Sequence, residues 1–180
     1  MRASIQEVIV IPEGITCELK HNVLACKKGG ETITKKFDRP GITLKVNGGT
    51  IEVSHARANR KDIAIIKAVV AHIRNLFRGL EKGFVYYMEI CNVHFPMTVK
   101  IEGSKLIINN FLGEKEKRFA SIVPGVKVDV KGQQIILSGA DVESVGQSAA
   151  NIEKATWVAN RDRRVFQDGI FITSKDGEEI

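Results

Sequence analysis

Apolar and polar positions alternate with a period of two through most of the chain, as in strands that bury one face. Ile15, Cys17 and Leu19 share one face of such a stretch, residues 15–20. Residues 8–11, 23–27, 32–37 and 42–46 predict further strands. Lys28-Gly29-Gly30 and Asn47-Gly48-Gly49 supply the turns between them, because glycine and asparagine tolerate the left-handed backbone that tight hairpins need. A second series follows at residues 98–102, 105–108, 117–122, 126–130 and 134–137, with Lys131-Gly132 at a hairpin tip. Two segments switch to a helical period. Ile63, Ile66, Val70, Ile73 and Phe77 recur at spacings of three and four, with Asn59 placed to cap the helix, Asp62 three residues on, and Gly79 placed to end it. On that helix Arg60, Lys67, Arg74 and Arg78 fall within about 40° of one another on a different face. Behind Asp141, the residues Val142, Val145, Ala149, Ile152 and Ala155 form the stripe of a second helix.

The chain also repeats itself. A shift of 84 residues brings Pro12 onto Pro96, Pro40-Gly41 onto Pro124-Gly125, Gly48 onto Gly132, Ile51 onto Ile135 and Ser54 onto Ser138. It also brings Glu18 onto Glu102 and Gly29 onto Gly113, and with a two-residue slip Gly83-Phe84 meets Gly169-Ile170. The expected fold class is α+β, as two tandem similar domains, residues 1–83 and 84–180. Each is a small, mostly antiparallel sheet with a helix packed on one face. Asp176, Glu178 and Glu179 give the second a short acidic C-terminal tail.

Composition narrows the class. With 180 residues, 43% hydrophobic and 27% charged, the chain can bury one good core or two small ones. No apolar run approaches a bilayer span, and no targeting signal is evident. Three widely spaced cysteines do not suggest a disulfide framework, so a reducing compartment is expected. Net charge is +6, which directs attention to polyanions. Up to Gly83 there are 15 Lys and Arg against 8 Asp and Glu; from Phe84 on there are 12 against 13.

Motifs for catalysis are missing. There is no Gly-rich phosphate loop and no Gly-x-Ser-x-Gly elbow. Cys17, His21 and Cys26 cluster in sequence, and Cys91 pairs with His94. A zinc site wants four soft ligands in two close pairs, whereas these cysteines sit in apolar strand-like stretches, so neither a metal nor another cofactor is expected. His72 falls among apolar helix positions and is expected to be half-buried. Acids that alternate with lysines, as in Glu114-Lys115-Glu116-Lys117, read as a solvated surface rather than a catalytic pair. The cations are more directed. Arg161-Asp162-Arg163-Arg164 concentrates three guanidinium groups, and Lys27 and Lys28 precede a glycine hairpin tip. Arginine forks match phosphate oxygens bidentately. Aromatic residues make up 6% of the chain and lack the pattern of a single-strand stacking platform, which favours structured RNA met through its backbone.

Several longer runs carry a resemblance. They are Asn59-Arg60-Lys61-Asp62, the stretch from Gly83-Phe84 to His94-Phe95-Pro96, Asn109-Asn110-Phe111-Leu112-Gly113-Glu114-Lys115 and Val123-Pro124-Gly125-Val126. To these are added residues 141–152, with Val145-Gly146-Gln147-Ser148-Ala149-Ala150, and residues 162–170, from Asp162-Arg163-Arg164 to Asp168-Gly169-Ile170. Together they resemble the sixth universal protein family of the large ribosomal subunit. Its bacterial members are called L-six and its eukaryotic members L-nine, and this chain is more similar to the eukaryotic and archaeal branch. The resemblance implies a non-catalytic ribosomal RNA-binding protein of two α+β domains, cytoplasmic within the ribosome. It implies a place near the stalk base and the sarcin–ricin region, where translational GTPases dock. Its partners are ribosomal RNA and neighbouring ribosomal proteins, with no membrane and no small-molecule substrate. Carried over by position, Lys115, Lys117 and Arg118 reach for phosphates after the Gly113 turn. Gln147, Ser148 and Asn151 present polar groups on the outer helix face. Arg161, Arg163 and Arg164 clamp the backbone, and Gly169 permits its close approach. The first hairpin tip departs from relatives, which often have Gly-Pro-(Arg/Lys)-Gly there, and Ser148 stands where Thr is common. The competing reading is a protein-binding adaptor that recruits partners along exposed sheet edges.

Overall fold

The computed structural model describes residues 3–180. The chain divides into two compact units, the first ending at Lys82 and the second running Gly83–Ile180. The first contains β1 (Ala3–Val10), β2 (Thr16–Lys20), β3 (Val23–Lys28), β4 (Glu31–Lys36), β5 (Ile42–Asn47), β6 (Thr50–Ala58) and α1 (Arg60–Lys82). Its strands form two three-stranded antiparallel sheets, β1-β6-β5 and β2-β3-β4. Both sheets and α1 contribute to one core, where Leu24, Cys26, Ile51, Val53 and Ile73 are fully buried. Asn59 Oδ1 accepts the N–H groups of Lys61 (2.8 Å) and Asp62 (3.1 Å), while Asp62 Oδ2 accepts the N–H of Asn59 at 2.8 Å. This reciprocal cap satisfies donors that the first turn leaves orphaned. Gly79 does not end the helix as expected. The buried stripe continues through Leu80, so packing holds another turn, and the chain leaves the helix at Gly83 with φ 69°.

The second unit contains β7 (Phe84–Cys91), β8 (Thr98–Glu102), β9 (Lys105–Asn109), a 3₁₀ turn (Phe111–Gly113), β10 (Arg118–Ser121), β11 (Lys127–Lys131), β12 (Gln134–Gly139), α2 (Val142–Ala155), β13 (Gly169–Lys175) and β14 (Glu178–Glu179). Its sheets are β10-β9-β8 and β11-β12-β7-β13-β14. The order of β7 through α2 repeats that of β1 through α1, and the helix again covers a sheet through Val145, Ala149 and Ile152. Asp141 caps α2 by accepting from Glu143 and Ser144 N–H. Exposed Glu178 and Glu179 fold back as a short strand on β13.

The structural register refines the repeat. At the β5–β6 and β11–β12 hairpins, Asn47 pairs with Thr50 and Lys131 with Gln134, an offset of 84. At the β2–β3 and β8–β9 hairpins, Lys20 pairs with Val23 and Glu102 with Lys105, an offset of 82. The Glu18–Glu102 coincidence is therefore not a structural equivalence. The boundary between the units falls at Lys82 and Gly83, and Phe84 to Cys91 follow it directly. They form β7, flanked by β12 on one side and β13 on the other.

Candidate nucleic-acid interface

Residues 156–168 connect α2 to β13, and the ends of this segment are held tightly. Thr156 is buried; its hydroxyl donates to Glu153 O at 3.1 Å and accepts Ile170 N–H at 2.9 Å. That one side chain joins the end of the helix to the start of the strand. At the other end Asp168 is 2% exposed. Its Oδ1 accepts the N–H groups of Val93 (2.8 Å) and His94 (2.9 Å), and its Oδ2 lies 2.5 Å from His94 Nδ1. Burial pushes the Asp168 carboxyl up, but the hydrogen bonds from His94 and Val93 outweigh it and hold the group below its ordinary range. Asp168 thus faces His94. The His94 ring stacks on Phe166 with centroids 5.0 Å apart.

On this frame the three arginines stand exposed. The Arg161 guanidinium lies over Phe166 at 4.8 Å and that of Arg163 over Trp157 at 4.9 Å. Arg164 pairs with Asp162 at 2.9 Å and holds that carboxyl below its usual range while itself 90% exposed, so water screens the pair and leaves the fork able to exchange partners. An aromatic face under a guanidinium restricts its motion yet leaves its donor edge open to an anion. Beside the loop lies a cleft of about 680 Å³ lined in part by Cys91, Val93, Trp157, Arg163, Phe166 and Asp168. Sequence reasoning found the arginines and missed Trp157, Phe166 and His94. The available signal was the lone tryptophan and a phenylalanine bracketing the cluster.

The other expected residues divide. Lys115 and Lys117 are exposed on the segment before β10. Arg118 lies beside them in sequence but is turned inward. It donates twice to Glu114 (2.7 and 2.6 Å) and to the carbonyls of Ala155 (2.9 Å) and Trp157 (3.2 Å), and lies over Phe111 at 4.2 Å. It clamps the end of α2 instead of reaching outward. Gln147 is exposed and donates to Asn151, whose own amide donates to Ser121 O at 3.0 Å. Ser148 is not on the outer face. It is fully buried, donating to Ser144 O at 2.8 Å and accepting Val123 N–H at 3.0 Å, because it lies only about 60° from Val145 around the helix. Gly169 is likewise buried inside the unit. A Cβ there would meet the Phe171 ring at 2.8 Å, so its missing side chain makes room for that ring and not for an outside backbone. In the first unit Lys27 is exposed and Lys28 half-buried, at the end of β3 before Gly29 and Gly30, both with positive φ. His72 is half-buried on α1, its Nδ1 3.0 Å from Lys35 Nζ. Among the described residues, no three His, Cys, Asp or Glu side chains gather as a metal ion would need, and no helix is long and apolar enough to cross a membrane.

Two α+β units that share one element order up to the helix, the second extended by β13 and β14 and bearing an aromatic-braced arginine loop, define a class of repeated scaffold with an exposed cationic loop. Residues 95–169, which include that loop, match the model of the ribosomal protein L6 family. The chain is 40% identical over 173 residues to the large ribosomal subunit protein uL6 of Saccharolobus solfataricus, covering 96% of each chain. It is 41% identical over 175 residues to the protein of the same name from Methanosarcina mazei, covering 97% of this chain and 99% of that one. The chain belongs to the ribosomal protein L6 family, whose role in the ribosome is structural and not enzymatic.

Proposed function

We propose that this protein is a constituent of the large ribosomal subunit, binding ribosomal RNA near the stalk base and the GTPase-associated sarcin–ricin region and so supporting translation in the cytoplasm. The observation that carries the reading is the α2–β13 loop, which presents Arg161, Arg163 and Arg164 outward from a buried Asp168 anchor. Lys115 and Lys117, and Lys27 and Lys28 on the first unit, extend the phosphate-binding set, and Gln147 and Asn151 flank it. Arg118, Ser148 and Gly169 hold the second unit in shape. The chain is two copies of one domain, residues 1–83 and 84–180, and its partners besides RNA are neighbouring ribosomal proteins.

Replacing Arg161, Arg163 and Arg164 together by Ala tests this with large-subunit RNA across a salt series. The slope of log affinity against log salt should fall by about two to three, since each lost phosphate contact removes roughly 0.7–0.9. Circular dichroism should show the fold intact. Unchanged affinity and slope would refute the assignment. The adaptor reading has one observation in its favour: β1 pairs only with β6 among the described residues, and carries exposed Val8 and Val10. It predicts association with subunits that survives high salt and nuclease.

A further inference from the structure

Two thiols face each other across the β2–β3 hairpin. His21 and Asn22 form its two-residue turn, both with positive φ, so Lys20 and Val23 close the ladder as a hydrogen-bonded pair. Pairs alternate from there. Leu19–Leu24 is non-hydrogen-bonded, Glu18–Ala25 hydrogen-bonded, and Cys17–Cys26 non-hydrogen-bonded. At such positions facing Cα atoms stand about 4.5 Å apart and side chains approach most closely. That spacing lies within the roughly 4.4–6.8 Å that a disulfide spans. The two sulfurs are 2.8 Å apart, closer than ordinary van der Waals contact. Cys17 is half-buried and reachable from solvent, while Cys26 is buried behind it.

We propose that Cys17 and Cys26 form a redox-active dithiol site that takes two-electron oxidants of the disulfide class, such as oxidised glutathione. Cys17 is the attacking group. The contact between the two sulfurs, in which either thiol can donate, lowers the Cys17 thiol against the opposing effect of burial, whereas the same contact and burial raise Cys26. The Cys17 thiolate attacks one sulfur of the oxidant, forming a mixed disulfide and releasing one thiolate. Cys26 then gives up its proton and attacks Cys17 Sγ, breaking the mixed disulfide and releasing the second thiolate. The protons from the two cysteines end on the released groups. Two protein thiols are oxidised, and one external disulfide becomes two thiols. Because Cys17 is not fully buried, an external thiol can attack such a bridge and reverse it. It would tie β2 to the strand that leads directly into Lys27 and Lys28, yet it stands independently of any RNA contact those residues make.

The test equilibrates the folded full-length protein in glutathione buffers of increasing oxidised fraction. Free thiols are then alkylated and the peptides mapped by mass spectrometry. The expected result is a fall from three free thiols to one, Cys91, with a peptide pair joined through Cys17 and Cys26 that dithiothreitol reverses. Cys26→Ser should instead hold glutathione on Cys17 as a lasting adduct, because no neighbouring thiol resolves it. Three thiols persisting in the folded protein under oxidising buffer would overturn the proposal. So would a stable glutathione adduct on Cys17 in the unsubstituted chain, or a link that forms only in denaturant.

Discussion

Asp168 bears more on the candidate interface than any of the arginines it supports. Its carboxylate satisfies two backbone N–H groups and the His94 ring at once. Asp168→Asn keeps the shape but loses the charge and one acceptor, and should cost about 2–3 kcal/mol at neutral pH. The sign of the pH dependence follows from the lowered folded value. The stabilisation is fully present above the unfolded aspartate range, about 3.9, and is lost as pH falls through the lower folded value. Denaturant titrations of both proteins from neutral to acid pH should therefore converge at the acid end; a gap that stays constant would mean the carboxylate charge is not what holds the loop. Residues of this kind are illegible in sequence, since Asp168 and His94 are 74 positions apart. Ser148 shows a different failure. Its helical angle was available, but its hydroxyl suggested the surface, whereas the adjacent Ser144 carbonyl and Val123 N–H give that hydroxyl two partners inside.

At the scale of elements, the helices and the tight hairpins were legible because their determinants are local. Caps, turn glycines and three-to-four spacing act within a few residues of themselves. The strands β7 and β13 were not. Phe84-Val85-Tyr86-Tyr87-Met88 is a nearly continuous apolar run, since β7 is paired on both edges and most of its side chains are at least half-buried; without alternation the period carries no signal. Two substitutions test how these elements are joined. Gly169→Ala forces a Cβ against the Phe171 ring and should destabilise the protein by about 1–3 kcal/mol, while RNA affinity per folded molecule stays unchanged. Weaker binding by folded protein would return Gly169 to the contact surface. Arg118→Lys keeps the charge but loses the fork that binds Glu114 and two carbonyls. Hydrogen exchange at the end of α2 should accelerate by about tenfold or more, corresponding to a local loss of roughly 1.5 kcal/mol.

Across the whole molecule, charge and shape separate. The first unit holds the whole of the cationic excess, including the exposed row Arg60, Lys67, Arg74 and Arg78 along α1, yet the braced arginine loop belongs to the nearly neutral second unit. Net charge acts at a distance and sets how often a polyanion arrives; on the interface proposed above, the braced arginines would set how long it stays. Replacing Lys67 and Arg74 by Glu should thus slow RNA association at low salt with little effect on dissociation. The difference should close toward 1 M salt, where screening length is about 3 Å; stopped-flow binding measures both rates, and a purely dissociative effect would place α1 in direct contact. Sequence alone determined the α+β class, the duplication, the two helices and the arginine cluster. All of these are written in local periodicity, turn chemistry or self-similarity. Tertiary structure decided the rest. It turned Arg118, Ser148 and Gly169 inward, set aromatic rings under Arg161 and Arg163, and brought Cys17 against Cys26. The physical reason is that a side chain's partner is chosen by strand register and packing across the fold, and one sequence position cannot state what faces it.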